Sequence, residues 1–206
     1  MNGFTWKRVL SQCAGVHVER RLGEGAENAR IESLDRQDAV ADIDRQWWQG
    51  IRPTVRANES DGHWPWMEIA GKHRSWKKAC ACLRTADSWI QSAIAYDLHG
   101  SSLLDKGDGC VFVDFLATAP WNRPRITSLP LYRGCGTELL VHVVAESYSN
   151  GLHGRVALIP IEDDVVEYYE DFGFRTTGVE CDDRIVFKLP VVAALELLKQ
   201  RGLLDE

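Results

Sequence analysis

Cys110–Thr118 (CVFVDFLAT) and, after a proline-containing loop, Tyr132–Leu140 (YRGCGTELL) are the stretches whose reading decides the fold. The first is a continuous apolar run interrupted only by Asp114, which suits a central strand covered on both faces. The second turns on two glycines into a helix expected from about Gly134 to Asn150. Leu140, Val143, Val144 and Ser147 stand at core spacing there, with Glu138, His142 and Ser149 outside. Asn150-Gly151 is a fitting end, since glycine takes the left-handed conformation that closes a helix. Arg155–Ile161 (RVALIPI) then reads as a second buried strand. A strand, a crossover helix and another buried strand make a parallel βαβ unit.

Downstream, a short helix is expected from Asp163 or Asp164 to Phe172, capped by those acids and stopped by Gly173. Its inward stripe is Val165, Tyr168, Tyr169 and Phe172. Phe174–Glu180 and Arg184–Leu189 read as paired strands, and Pro190 opens an amphipathic helix over Val191–Leu204. Upstream, Ala79–Thr85 and Trp89–Leu98 form a hairpin about Ala86-Asp87-Ser88, with a further turn at Gly107-Asp108-Gly109. Before them come a helix over Trp64–Lys77, a polar connector at residues 52–63, a helix over Asp35–Gln49 stopped by Gly50, and a strand over Val16–Leu22. The expected class is α/β: a single mixed, mostly antiparallel twisted sheet with a central parallel βαβ unit and helices on both faces.

The chain has 206 residues, 45% apolar and 26% charged, which excludes wholesale disorder. Twenty-four basic and thirty acidic side chains leave a net charge of −6, so no overall attraction draws it to nucleic acid or an anionic membrane. No apolar run approaches the roughly 18 residues of a membrane span, and Met1–Leu10 lacks a signal-peptide core. Six cysteines without a Cys-x-x-Cys point to a reducing cytoplasm. All the tryptophans but Trp6 fall between Trp47 and Trp121, as an aromatic substrate wall or a well-filled core would require.

Chemistry concentrates at Gly134-Cys135-Gly136. Glycines let backbone amides turn toward a ligand, and the helix that follows adds about half a positive charge, a combination suited to phosphate or diphosphate. Ordinary turns use the same pair. Arg133 either adds a guanidinium or is a solvated loop charge. There is no Gly-Lys-Ser/Thr, which rules out the Walker-type loop, and the bulky Leu139 stands where a dinucleotide fingerprint wants a glycine. Glu162, ending the next strand, mimics the ribose-binding acid of that fingerprint. Cys135 at a helix start is either an activated thiol or a small apolar filler. Cys80 and Cys82 share a strand face without a second ligand pair, so no metal is expected.

Taken together, Val111–Thr118, Tyr132–Leu140, Val156–Ile161 and Glu167–Phe174 (EYYEDFGF) resemble the acetyl-CoA-binding core of the GCN5-related N-acetyltransferases (GNAT). Ala119–Pro124 (APWNRP) resembles a bacterial subset with a longer loop before the glycines. The resemblance covers residues 79–189 of one domain spanning 1–206, with 1–78 a variable N-terminal part and 190–206 a C-terminal helix. It implies transfer of an acetyl group from acetyl-CoA to a primary amine of a small molecule or protein. The backbone of Leu131, Tyr132, Arg133, Gly134, Cys135 and Gly136, running into Thr137, would hold the diphosphate. Leu131 replaces the Arg or Gln usual there. The pantetheine arm would lie along Leu116, Ala117 and Thr118, and Glu162 stands where Asn is usual. Tyr169 would give a proton or hydrogen bond to the departing thiolate, a kind of assistance that contributes about 10²–10⁴-fold. The usual base position holds Phe112; Asp114, on the same strand face, is the alternative acceptor of the amine proton.

Residues 162–183 carry nine acids (Glu162, Asp163, Asp164, Glu167, Glu170, Asp171, Glu180, Asp182, Asp183) against Arg175 alone. That surface either favours a cationic amine or is a solvated face. A catalytically inactive acyl-CoA-binding or regulatory module is the alternative reading, and nucleotide-dependent redox chemistry a third. Dimers are common among similar proteins, but no segment here dictates one.

Overall fold

Apolar runs and alternations become the strands of one sheet in the computed structural model, which describes residues 15–20, 25–101 and 109–204. The strands are β1 (Gly15–Arg20), β2 (Ala26–Ser33), β3 (Lys78–Thr85), β4 (Ile90–Ser101), β5 (Gly109–Thr118), β6 (Tyr132–Arg133), β7 (Val156–Leu158), β8 (Arg175–Cys181) and β9 (Arg184–Leu189). Their order is β6-β1-β2-β3-β4-β5-β7-β9-β8. The class is the expected one, α/β with a mixed sheet. β1–β2, β1–β6, β2–β3, β7–β9 and β8–β9 are antiparallel, and β5–β7 is parallel with Val111 opposite Val156 and Val113 opposite Leu158. Leu22, Gly107, Asp108, Cys13 and Met1–Leu10 lie outside the described residues.

The chain divides into two compact units, one made of Gly15–Ala95 with Phe115–Leu139, the other built on Tyr96–Asp114 and the chain from Leu140 onward. In the first, Leu34, Ile43, Trp47, Trp66, Ile69, Cys80, Cys82, Ile90 and Ala117 form a buried cluster. Trp48, Trp64, Phe115 and Trp121 pack against it. The tryptophans are therefore mostly core. Trp47 lies edge-on to Trp66 at 6.3 Å and donates its indole N–H to Ile90 O at 3.0 Å. A fully buried side chain of this kind stabilises by about 1.5–3 kcal/mol or more.

The N-terminal helices depart from expectation. Asp35–Gln49 is a short α1 (Arg36–Asp38), capped by Asp35 Oδ1, running into a π-helical turn (Ala39–Asp44). The Arg45 N–H there reaches Val40 O, five residues back. Arg84 fixes this wide turn by holding Asp38 and Asp42 through one guanidinium. The connector contains α2 (Pro53–Ala57), for which Pro53 pre-sets the first turn. Trp64–Lys77 shrinks to α3 (Trp66–Lys72), whose first amides at Trp66 and Met67 are capped by the Asp44 carboxylate at 2.9 and 3.0 Å. β2 went unread because only Ala29 and Ile31 of its eight residues face inward.

In the second unit, the helix α4 (Cys135–Ser149) contributes Leu140, Val143, Val144 and Ala145, all fully buried. The expected outer face is not outside: His142 packs against the Tyr96 ring, with centroids 6.4 Å apart. The same holds in the first unit for Glu138, which is buried. This helix is covered nearly all round, so a one-sided stripe misplaced them. β7 is shorter than Arg155–Ile161 because Pro160 has no N–H for a ladder. A 3₁₀ turn (Asp163–Val165) precedes α5 (Val166–Phe172), where Val165 rather than an acid sits at the cap and makes no side-chain cap bond. Tyr168, expected to face inward, is exposed, while Tyr169 is buried. The last helix, α6 (Val191–Gln200), ends four residues early.

Candidate functional site

The glycine loop is built by its own hydrogen bonds. Leu131 N–H donates to Trp121 O at 3.2 Å and Tyr132 N–H to Asn122 Oδ1 at 3.0 Å. Tyr132 and Arg133 then pair with Arg20 and Glu19 as a sheet edge. At Gly134 the backbone goes left-handed (φ +79°), a conformation that favours glycine, and nothing lies within 4 Å of where a side chain would start. The chain enters α4 directly, and Glu138 N–H closes the first turn on Gly134 O at 2.9 Å. Cys135 and Gly136, followed by Thr137, thus head a 15-residue helix, and the leading amides of a helix have no acceptor within it. Two of the expected loop amides, those of Leu131 and Tyr132, are engaged by the protein. An anion cradle falls to the amides beyond Gly134. Arg133 and Leu131 are exposed, the latter at 51%.

The end of β5 is also tied down. Ala117 is buried, and Leu116 and Thr118 are half-buried. Thr118 O accepts from Arg123 Nε at 2.6 Å, and Ala119 N–H donates to Gln91 O at 2.9 Å.

In the other unit, Tyr169 is held by the turn that ends α5. Gly173 (φ +112°) caps the helix, and Phe174 N–H returns to Tyr169 O at 2.9 Å. The Tyr169 ring is edge-on to Tyr168 at 5.2 Å and to Phe174 at 5.8 Å. Burial first, then the neighbouring Tyr168, pushes its phenol well above the ordinary value, so it stays protonated and a donor at neutral pH. No described residue hydrogen-bonds its hydroxyl. Asp114 is half-buried one residue beyond the Val113–Leu158 pair. Phe112 packs on the small cluster of Cys110, Ala157 and Val186. Glu162, half-buried, precedes the 3₁₀ turn in extended conformation.

Cys135 is no activated thiol: burial pushes it up to about 12, as it does Cys80 and Cys82. Ser92 Oγ holds Cys135 O at 2.9 Å, and the cysteine fills space as a small apolar residue. Among the described residues no group of His, Cys, Asp and Glu is placed to hold a metal, and no helix is long and apolar enough to cross a membrane.

Sequence reasoning missed the polar side chains beneath the loop. Gln91 is fully buried; its Oε1 accepts from Trp121 Nε1 at 2.8 Å and Asn122 Nδ2 at 2.9 Å, and its Nε2 donates to Thr85 Oγ1 at 2.8 Å. Arg123 donates to Glu59 Oε2 at 2.7 Å and Asp61 Oδ1 at 2.6 Å, all nearly buried. Two guanidiniums lie over the Trp48 ring, Arg56 at 5.4 Å and Arg123 at 5.5 Å from its centroid. The signal available was the Asn122-Arg123 pair among prolines and a tryptophan.

This mixed sheet, in which β5 and β7 run parallel, has the fold of the GNAT acetyltransferases. Among solved structures the chain is similar to the GNAT domain of S. lividans PAT (TM-score 0.58, 14% identity, covering 84% of this chain and 95% of that one). It is likewise similar to AtaTR bound with acetyl-CoA (0.55, 15%, 82% and 98%) and to the apo form of FdhC, a nucleotide-linked sugar GNAT (0.53, 10%, 91% and 96%). No protein-family model and no curated protein matches the chain.

Proposed function

We propose that the chain is an acetyl-CoA-dependent N-acetyltransferase that acetylates a primary amine by direct attack. The observation that carries this reading is the left-handed Gly134 opening straight into α4, which turns the amides of Cys135 and Gly136 and the positive helix end toward a diphosphate. Acetyl-CoA supplies an activated thioester; the chain's own residues hold and protonate. The loop Leu131–Gly136, running into Thr137, takes the diphosphate, with Leu131 and Tyr132 shaping it while the later amides bind. Leu116, Ala117 and Thr118 take the pantetheine arm, and Glu162 borders the arm in place of Asn. The amine nitrogen bonds to the acetyl carbon as the carbon–sulfur bond breaks. Tyr169 gives the thiolate a proton or hydrogen bond, and Asp114 takes the proton the amine loses.

Binding of acetyl-CoA by calorimetry, together with its loss in Gly136→Val, tests the loop. Unchanged affinity in that variant refutes the assignment. Thiol release from acetyl-CoA with a panel of amines tests turnover. A second reading, an acyl-CoA-binding module without catalysis, is favoured by Phe112, which packs into an apolar cluster where a base would stand. It predicts binding with no thiol release.

A further inference from the structure

We infer that the turn Pro120–Arg123 is a positioning device with two separable hooks, Asn122 for the phosphate loop and Arg123 for the strand end that takes the pantetheine arm. The inference rests on the acetyl-CoA reading above. The carrying observation is that two adjacent side chains from one turn reach opposite ends of the same candidate site.

Asn122 is 7% exposed, and both ends of its amide are used. Its Nδ2 donates to Gln91 Oε1 at 2.9 Å, and its Oδ1 accepts the Tyr132 N–H at 3.0 Å. Gln91 is fixed in turn by Trp121 Nε1 and Thr85 Oγ1. Two residues beyond Tyr132 comes the left-handed Gly134, with only Arg133, paired to Glu19, between them, so the Tyr132 amide is fixed close to where the chain swings into α4. Leu131 N–H to Trp121 O holds the neighbouring amide to the same turn. Buried polar side chains are costly unless every partner is placed. Here all are, and their common product is the angle at which the loop reaches its glycine.

Arg123 works on the other end. Its Nε holds Thr118 O at 2.6 Å, while its Nη atoms are held by Glu59 and Asp61. The guanidinium cannot follow the strand; the strand must follow it. A Thr118 carbonyl fixed in this way sets which backbone groups of Leu116–Thr118 an extended ligand meets. Lysine keeps the charge but not the planar fork, so Arg123→Lys releases Thr118 while leaving a cation for the two acids.

The experiment uses two probes: coenzyme A, and adenosine 3′-phosphate 5′-diphosphate, which carries the diphosphate but no pantetheine arm. Asn122→Ala is expected to weaken both probes by the same factor, about tenfold, as for loss of one anchoring hydrogen bond. Arg123→Lys is expected to weaken coenzyme A by about tenfold and leave the armless nucleotide unchanged. Equal loss on both probes in Arg123→Lys, or unchanged binding in Asn122→Ala, overturns the inference while the acetyl-CoA reading stands. If the parent protein binds neither probe, that reading falls, and the positioning roles with it. Melting curves of every variant accompany the titrations; if Asn122→Ala does not fold, Asn122→Ser replaces it, and if Arg123→Lys does not fold, Arg123→Gln combined with Glu59→Gln and Asp61→Asn, which removes the buried charges together, replaces it under the same criteria.

Discussion

The Tyr132 hydroxyl donates to Glu27 Oε2 at 2.9 Å, tying the strand that leads into the glycine loop to a strand residue far back in the chain. β6 has only two residues and two register pairs with β1, and this bond adds to the anchorage that Asn122 gives the same tyrosine's amide. Tyr132→Phe is expected to cost about 1 kcal/mol, the net worth of a hydrogen bond partly shielded from water. For a chain of this size that lowers Tm by about 2–4 °C. Calorimetric melting of the two proteins checks it, and an unchanged Tm shows that the pairing is set elsewhere.

Tyr169→Phe removes a hydroxyl without disturbing the ring contacts to Tyr168 and Phe174. Turnover is expected to fall about 10²-fold with acetyl-CoA affinity changed less than about threefold, the pattern of a group that acts during bond breaking. Thiol release and calorimetry on the same preparation separate the two. A drop in affinity with turnover intact assigns the tyrosine to binding.

His142 is pushed down to about 4 by burial, and its Nδ1 has no hydrogen-bond partner. The unfolded chain takes up this proton near the ordinary value of 6.5, while the folded chain resists until about 4. Stability is therefore lost as pH falls through that window, by roughly 3 kcal/mol at most. The neighbouring Glu146 carboxyl is raised by burial and works in the opposite sense, so the histidine is isolated by substitution. Urea melts at pH 7 and pH 5 should differ less in His142→Gln than in the parent. Equal differences in both remove the histidine from the account.

Cys80, Cys82 and Cys135 should remain unmodified by iodoacetamide in the folded protein at pH 8, because thiols raised to about 12 carry almost no thiolate there. Mass mapping of the alkylated peptides reads this directly. Rapid labelling of Cys135 reopens a nucleophilic role for it.

Where apolar residues dominate, the sequence could be read almost to the residue. Cys110–Thr118, Arg184–Leu189 and the helix after Gly134 stand where periodicity put them, because burial of those side chains leaves few alternatives. Elements held by polar side chains were not legible. The π-turn at Ala39–Asp44 depends on Arg84, and the start of α3 on Asp44, partners far off in sequence. His142 and Glu138 were misplaced because polarity was taken for exposure on a helix that is covered on nearly every side. In the candidate site, the left-handed turn into the helix was legible from Gly134 itself, whereas Tyr169 enters as a proposal through the family resemblance. Gln91 and Asn122 were not legible: Asn122 holds a backbone amide, which leaves no trace in composition, and Gln91 holds side chains as far as 31 residues away.

The ion pairs at Arg123 also have a bearing on the order in which the chain is made. Glu59 and Asp61 lie 64 and 62 residues before their arginine. On the ribosome they emerge long before it, two carboxylates bound for a water-poor niche with no counter-ion yet synthesised. The segment around Glu59 and Asp61 is expected to stay solvated until Arg123 clears the exit tunnel, and nascent chains arrested short of that residue should be cut there by protease.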